Sequence, residues 1–296
     1  MKQTGLVIAG HGRHVVVESA DGERRICHPR GKKNQAVVGD RVWWQASEDE
    51  GTIEAVQERR NLLYRQDEIR TKSFAANLDK VLILMAAEPE FSEMQLTRAL
   101  IAAEAAGIAP VIALNKQDLV PAFERAWTRL APYRAMGYNV LPLSLRNDPA
   151  SLTALAQQLQ GQTTLVLGPS GVGKSTLINS LVPDALAATN EISQALNSGK
   201  HTTTSTTWYW VDRAQATALI DSPGFQAFGI HHIEPMQLAL CMPDLKAHAD
   251  HCRFYNCTHR HEPGCGVREA LGQGLISASR HKIYEQLFDE LTQPAF

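Results

Sequence analysis

The run Gly168-Pro169-Ser170-Gly171-Val172-Gly173-Lys174-Ser175-Thr176 fits G-x-x-x-x-G-K-[ST] at every fixed position. Its chemistry is phosphate binding. The glycines let backbone N–H groups turn inward around an anion, and the N-terminus of a following helix adds partial positive charge. Lys174 would reach the β- and γ-phosphates, and the Ser175 hydroxyl would ligate Mg²⁺. The β-prone Thr163–Leu167 precedes the run and a helical stretch, Thr176–Leu181, follows it, which is the setting this loop needs. A second cluster lies near the end of the chain. Cys252-x₄-Cys257-x-His259-x₅-Cys265 gathers three thiols and an imidazole, a closed tetrahedral donor set for one structural zinc ion. It leaves no open position for water, so it is not read as catalytic. His251 and His261 are alternatives to His259 as the fourth ligand. Cys27 and Cys241 stand apart and read as small apolar residues.

Asn115-Lys116-Gln117-Asp118 resembles the guanine-specificity motif N-K-x-D of GTPases. A carboxylate at Asp118 can accept from guanine N1–H and N2–H₂. Adenine offers neither donor, so a buried acceptor would go unpaired at a cost of about 1–3 kcal/mol. Ser144, after the next strand, is either a further base contact or a helix N-cap. Asp221-Ser222-Pro223-Gly224 resembles D-x-x-G, with Asp221 holding Mg²⁺ through water and the Gly224 N–H sensing the γ-phosphate. Gly199-Lys200-His201-Thr202-Thr203-Thr204 lies between, and one Thr, taken as Thr203, would close over the Mg²⁺. The order is permuted: in ordinary GTPases the phosphate loop comes first and N-K-x-D fourth, whereas here N-K-x-D precedes it. The break falls after Gly224, so the second switch runs directly into the C-terminal part, and its displacement would be passed there by a short tether. Phe225 stands where many GTPases carry a water-orienting Gln. His231 and His232 either position water, the role given to His232, or pack at a domain junction.

Three kinds of element must position these groups. Leu6–Ala9, Val15–Val17, Arg25–Cys27, Arg41–Trp44 and Gly51–Val56 are short β-rich runs, and Asp21-Gly22 is a hairpin signal. They predict a small barrel over 1–66, an OB-fold or an SH3-like barrel. Over 67–229 strand-like and helix-like runs alternate: Val81–Ala86, Ser92–Ala106, Val111–Leu114, Pro121–Met136, Asn139–Leu143, Pro149–Leu159, then Thr163–Leu167 and Thr217–Asp221. That alternation predicts an α/β domain with a mainly parallel sheet. Residues 230–296 are rich in His and Cys and close on a helical stretch, Arg280–Leu291.

The 296 residues suffice for about two or three domains, and 44% hydrophobic with 20% charged residues excludes a disordered or fibrous chain. No apolar run reaches the roughly 18 residues of a membrane span. The first residues do not read as a signal peptide, and five cysteines are too few and too odd for a disulfide scaffold. A cytoplasmic protein is expected. A net charge of −2 leaves nucleic-acid contact to local patches. One candidate patch is Arg24, Arg25, Arg30, Lys32 and Lys33 with Arg59, Arg60 and Arg65, beside Trp43 or Trp44. The alternative is a solvated charged face, because Glu and Asp are interleaved.

The order N-K-x-D, G-P-S-G-V-G-K-S-T, G-K-H-T-T-T, D-S-P-G-F, with the Cys₃His block around Glu262-Pro263-Gly264, resembles the ribosome small subunit-dependent GTPase A family over almost the whole chain. The resemblance implies an OB-fold, a circularly permuted P-loop GTPase domain and a mainly helical zinc-binding C-terminal domain. It also implies a GTPase acting late in maturation of the 30S subunit, binding 16S rRNA and stimulated by that subunit, with Mg²⁺ and one Zn²⁺ and as a monomer. Two rivals remain on residues alone: a small-molecule kinase, and a zinc-dependent nucleic-acid-binding module with a vestigial nucleotide site.

Overall fold

The computed structural model describes residues 3–11, 14–30, 35–47, 50–67, 71–182, 185, 206–223 and 228–293. Thr203, Gly224, Phe225, Lys32 and Lys33 lie outside the described residues. The N-terminal strands are β1 (Gln3–His11), β2 (His14–Glu18), β3 (Arg24–Pro29), β4 (Arg41–Ala46) and β5 (Gly51–Val56). They pair in the order β1-β2-β3-β5-β4, and β4 returns to β1. Closure removes the edges that a five-stranded sheet would expose. β3 and β5 run parallel and every other pair is antiparallel. That 1-2-3-5-4-1 circuit is the OB arrangement and settles the choice between the two barrels. Alternation works as expected on β4: Val42 and Trp44 are buried with Val7, Val17 and Ile53, while Trp43 points out.

A hairpin, β6 (Leu62–Gln66) with β7 (Thr71–Ala76), follows. A division at residue 66 therefore falls at its tip. The α/β sheet is then built from β8 (Lys80–Ala86), β9 (Ala109–Asn115), β10 (Asn139–Pro142), β11 (Thr163–Leu167), β12 (Thr207–Asp212) and β13 (Thr217–Asp221). Its order is β10-β9-β8-β11-β13-β12, parallel except for β12. β8 is buried on both faces, which is why its sequence is a continuous apolar run. Helices α1 (Glu93–Ala105), α2 (Val120–Arg129), α3 (Ala131–Ala135), α4 (Pro149–Leu159) and α5 (Lys174–Leu181) connect the strands. One helix was expected over 121–136, but α2 stops at Arg129. Pro132 cannot donate to the carbonyl four residues back, and the chain restarts as α3 with this proline in its first turn. Pairing of Ala9 with Thr207 joins barrel and sheet into one surface.

The C-terminal part holds a 3₁₀ segment (Pro235–Cys241) and three helices, α6 (Pro243–Ala249), α7 (Gly266–Gly272) and α8 (Ala278–Thr292). It shares a core with the α/β sheet and the barrel; Ile8, Phe74, Ile101, Leu245 and Leu287 belong to one apolar cluster. Arg280 fastens it: buried at 2% exposure, it donates to both Asp244 carboxylate oxygens (2.8 and 2.9 Å) and to Thr97 Oγ1 on α1 (2.7 Å). The chain that leaves the second switch is anchored too. Phe228 stacks on Phe74 at 5.5 Å, and Gln66 bonds Gly229 O and accepts from His231 N, 3.0 Å each. A Cβ on Gly229 would lie 2.4 Å from Gln66 O, so only glycine fits against the hairpin.

Candidate functional site

Because β10, β9, β8, β11 and β13 are parallel, their carboxyl ends share one edge of the sheet. In open α/β sheets ligands bind at that edge. N-K-x-D ends β9, Ser144 follows β10, the phosphate loop follows β11 and Asp221 ends β13. Residues far apart in sequence are thus delivered to one crevice by topology.

The phosphate loop has the backbone its sequence predicts. Gly171 and Gly173 adopt φ +80° and +108°, and Gly173 is the N-cap of α5. A Cβ on Gly173 would sit 2.6 Å from Asn115 Nδ2, and one on Gly168 would sit 2.3 Å from Leu84 O. These glycines therefore serve close packing as well as the turn. Lys174 Nζ donates to Gly168 O and Pro169 O at 2.8 Å each, and burial lowers its pKa against a neighbouring Asp221 charge. Ser175 is exposed at the helix start.

Asn115 joins the two motifs. Its Nδ2 donates to Val172 O (2.9 Å) and its Oδ1 accepts from Leu145 N (3.2 Å), so both ends of the amide are committed to backbone. Lys116, at φ +67°, reaches back to Glu88 O. Gln117 N donates to Leu143 O at 3.1 Å. Asp118 is exposed, and its Oδ1 accepts from Ser144 Oγ at 2.9 Å. Ser144 is not the N-cap of α4; Asp148 is, accepting from Ala150 N. Ser144 instead holds the Asp118 carboxylate. Ser151, which sequence reading missed, accepts from Ser144 N at 3.2 Å.

Asp221 is 7% exposed and its Oδ1 is buried with no hydrogen-bond donor. Burial raises its pKa to about 6, despite the nearby Lys174 charge. An acceptor-only group in that state suits a hard cation, so Asp221 and Ser175 fit Mg²⁺. His232 sits against the hairpin. Its ring packs on Tyr64 of β6 at 4.3 Å, and burial, then His231, lower its pKa. Those surroundings match the junction alternative.

At the other site, Cys252, Cys257, His259 and Cys265 bring their ligand atoms within 4.8 Å of one another. Cys252 Sγ lies 3.8 Å from Cys265 Sγ, and His259 Nδ1 lies 3.4 and 3.6 Å from those two sulfurs. A tetrahedron with metal–sulfur bonds of about 2.3 Å and metal–nitrogen bonds of about 2.0 Å requires separations of about 3.8 and about 3.5 Å. The donors fit the ion, and His259 rather than His251 or His261 supplies the fourth. Burial pushes the Cys257 thiol up to about 12, so a cation is what would hold it as thiolate. Glu262 organises the loop. It accepts from Thr258 N (2.8 Å), Thr258 Oγ1, Arg260 N (3.1 Å) and His261 N (3.2 Å). Burial opposes its charge, yet these donors hold its carboxyl well below the usual range.

The barrel's basic residues are largely paired. Arg24 binds Glu18, Arg25 Glu23, Arg30 Glu54, Arg60 Asp79, and Arg59 grips fully buried Asp40. Interleaved carboxylates have made ion pairs of most of the expected patch. Trp43 is exposed and Trp44 buried.

The model of the RsgA GTPase family matches residues 56–231. The chain belongs to the RsgA GTPase family. A protein of Variovorax paradoxus (strain S110) called small ribosomal subunit biogenesis GTPase RsgA is 70% identical over 297 residues, covering 99% of this chain and 93% of that one. Its namesake in Burkholderia pseudomallei (strain 1710b) is 54% identical, covering 98% and 92%. Among solved structures, YjeQ from Thermotoga maritima superposes with a TM-score of 0.75 at 30% identity, covering 99% and 100% of the chains. YloQ, described as a circularly permuted GTPase, gives 0.73 at 27%, covering 100% and 98%. The fold is that of a circularly permuted GTPase, and membership in this family makes the chain a GTP-hydrolysing enzyme.

Proposed function

We propose that this GTPase acts as a late maturation factor of the 30S ribosomal subunit, binds its 16S rRNA and is stimulated by it. The observation that carries the reading is the Asn115 bridge to Val172, which fixes a guanine motif to a phosphate loop in permuted order. In this reading residues 1–66 are the barrel, 67–229 the hydrolase and 230–296 the zinc-bearing part. The protein works as a cytoplasmic monomer with Mg²⁺ and one Zn²⁺. Among the described residues no helix is long and apolar enough to cross a membrane.

The residues divide the work. Asp118, oriented by Ser144, accepts from guanine N1–H and N2–H₂. Asn115 keeps the base and phosphate pockets at fixed spacing, with Lys116 and Gln117 shaping the floor. The N–H groups around Gly171–Thr176 cradle phosphate, and Lys174 exchanges its two carbonyl partners for β- and γ-phosphate oxygens. Ser175, and Asp221 through water, would hold Mg²⁺, which would supply positive charge beside the leaving phosphate. Thr203 and Gly224, outside the described residues, are the candidates for the γ-phosphate side. Phe225 offers no proton-handling group, so unaided turnover is slow and the subunit completes the site. His232 remains a candidate only if that completion moves it.

GTP turnover measured with and without purified small subunits tests the reading: a stimulated rate is expected, and an unchanged rate would overturn it. Affinity for GDP well above that for ADP would exclude a small-molecule kinase.

A further inference from the structure

The zinc-site loop carries side chains that the fold does not use. Tyr255 is fully exposed and Phe254 is exposed beside it. A fully exposed ring contributes no burial energy, so packing does not account for Tyr255. The backbone beneath is rigid. Cys257 N donates to Phe254 O (3.2 Å), which closes a turn with Tyr255 and Asn256 at its tip, and Arg253 N donates to Gly264 O (2.9 Å). Gly264, at φ +69°, packs against Arg253, where a Cβ would lie 3.1 Å from Arg253 Cβ. The metal ligands Cys252 and Cys257 bracket the turn. The Arg253 guanidinium stands 5.5 Å from the Phe254 ring centroid and makes no ion pair among the described residues. Arg260 is paired with Asp289 (2.8 Å), which leaves Arg253 as the cation nearest the exposed rings. The Glu262 carboxylate is already taken up by its donors within the loop.

An exposed ring beside a guanidinium that lies on a second ring complements one chemistry. Unpaired nucleotides present flat π-faces on a polyanionic backbone. We infer that the Arg253-Phe254-Tyr255 turn is an RNA-stacking tip, on which Tyr255 takes an unpaired base and Arg253 an adjacent phosphate. The site is preorganised, because the turn and its metal ligands fix the backbone before RNA arrives. The inference rests on the proposed action on the small ribosomal subunit and names the surface that touches its RNA.

The test uses the full-length, zinc-loaded protein and three probes: purified small subunits, protein-free rRNA from them, and a short unstructured oligouridine. Tyr255→Ala is expected to weaken all three by about tenfold, the usual size of one lost stack, with unchanged zinc content and unstimulated GTP turnover. Tyr255→Phe should restore binding and Tyr255→Leu should not, since the ring and not the hydroxyl is used. Arg253→Gln should lower the slope of log affinity against log salt by about one. Binding of Tyr255→Ala within about twofold of wild type to protein-free rRNA would overturn the tip. So would a loss confined to intact subunits, which would point to a ribosomal protein. If the wild type itself neither binds subunits nor responds to them, the proposed function fails instead.

Discussion

Asp221 shows at the residue scale what the nucleotide site costs the fold. Its pKa stands at about 6 in the protein against 3.8 unperturbed, because burial disfavours its charge. The raised value means its contribution to stability is fully present below about pH 4 and is lost as pH rises through about 6. A shift of that size corresponds to at most about 3 kcal/mol. Asp221→Asn should therefore raise the unfolding temperature of the nucleotide-free protein at pH 7 while weakening Mg²⁺-dependent GTP binding. It should also flatten the part of the pH–stability curve between about 4 and 6. Thermal melts of both proteins across that range, with binding measured alongside, check this. Asp118 and Ser144 give a second test. Asp118→Asn places a donor against guanine donors and should relax the preference for GTP over ATP. Ser144→Ala should weaken GTP binding by about tenfold through loss of one hydrogen bond to a charged group, with the preference retained. Competition binding with GDP and ADP reads both.

At the element scale the zinc loop depends on Glu262 as much as on its ligands. His259 sits at φ +59°, a conformation a non-glycine residue adopts only when its surroundings impose it. Glu262 holds the N–H groups on either side, Tyr284 donates to Thr258 O (2.8 Å) and His281 Nε2 lies 2.9 Å from His259 O. Glu262→Ala should lower metal affinity by about 10–100-fold, measured by chelator competition, with less effect from Glu262→Gln. Cys257→Ser should abolish zinc retention and loosen 243–292 without changing nucleotide affinity directly. How much of this was legible in sequence depends on range. The phosphate loop, N-K-x-D and Cys₃His sets were plain because each confines its chemistry to a few adjacent positions of fixed residue type. β6 was missed because Leu62–Gln66 is half-buried on both faces and shows no period of two. β12 was missed because Trp208 and Tyr209 are both buried, one against each core cluster, so alternation is absent. The Ser144–Asp118 bond was open because it depends on which residue caps α4. OB and SH3-like barrels were inseparable because only the β3–β5 and β1–β4 pairings, both non-local, distinguish them.

The whole molecule is more tightly joined than a row of three domains. Sequence alone leaves a free tether from the second switch to the C-terminal part. The structure anchors that tether at Phe228–His231 on the β6–β7 hairpin, and Arg280 fixes the C-terminal part to α1. Displacement of the switch is therefore expected to stop at Phe228. Hydrogen exchange with a non-hydrolysable GTP analogue and with GDP should show equal protection over 243–292, with differences confined to the nucleotide edge and its neighbours. Unequal protection there would mean that the anchors yield. Arg280→Ala would strand Asp244 in the shared core and should cost about 3–5 kcal/mol, read as a lower unfolding temperature.

The strand order also governs the order of events during synthesis. Within the α/β sheet β8, β9 and β10 leave the ribosome first, after the barrel and hairpin, and can pair as a parallel trio with one side of β8 uncovered. β11 then occupies that side and brings the phosphate loop to N-K-x-D. β13, ending at Asp221, must still add beyond β11 before the cation side exists. A nascent chain thus carries its base-reading half long before it can hold a triphosphate. The open side of β8 is meanwhile a sticky edge, shielded only as fast as translation supplies its neighbour.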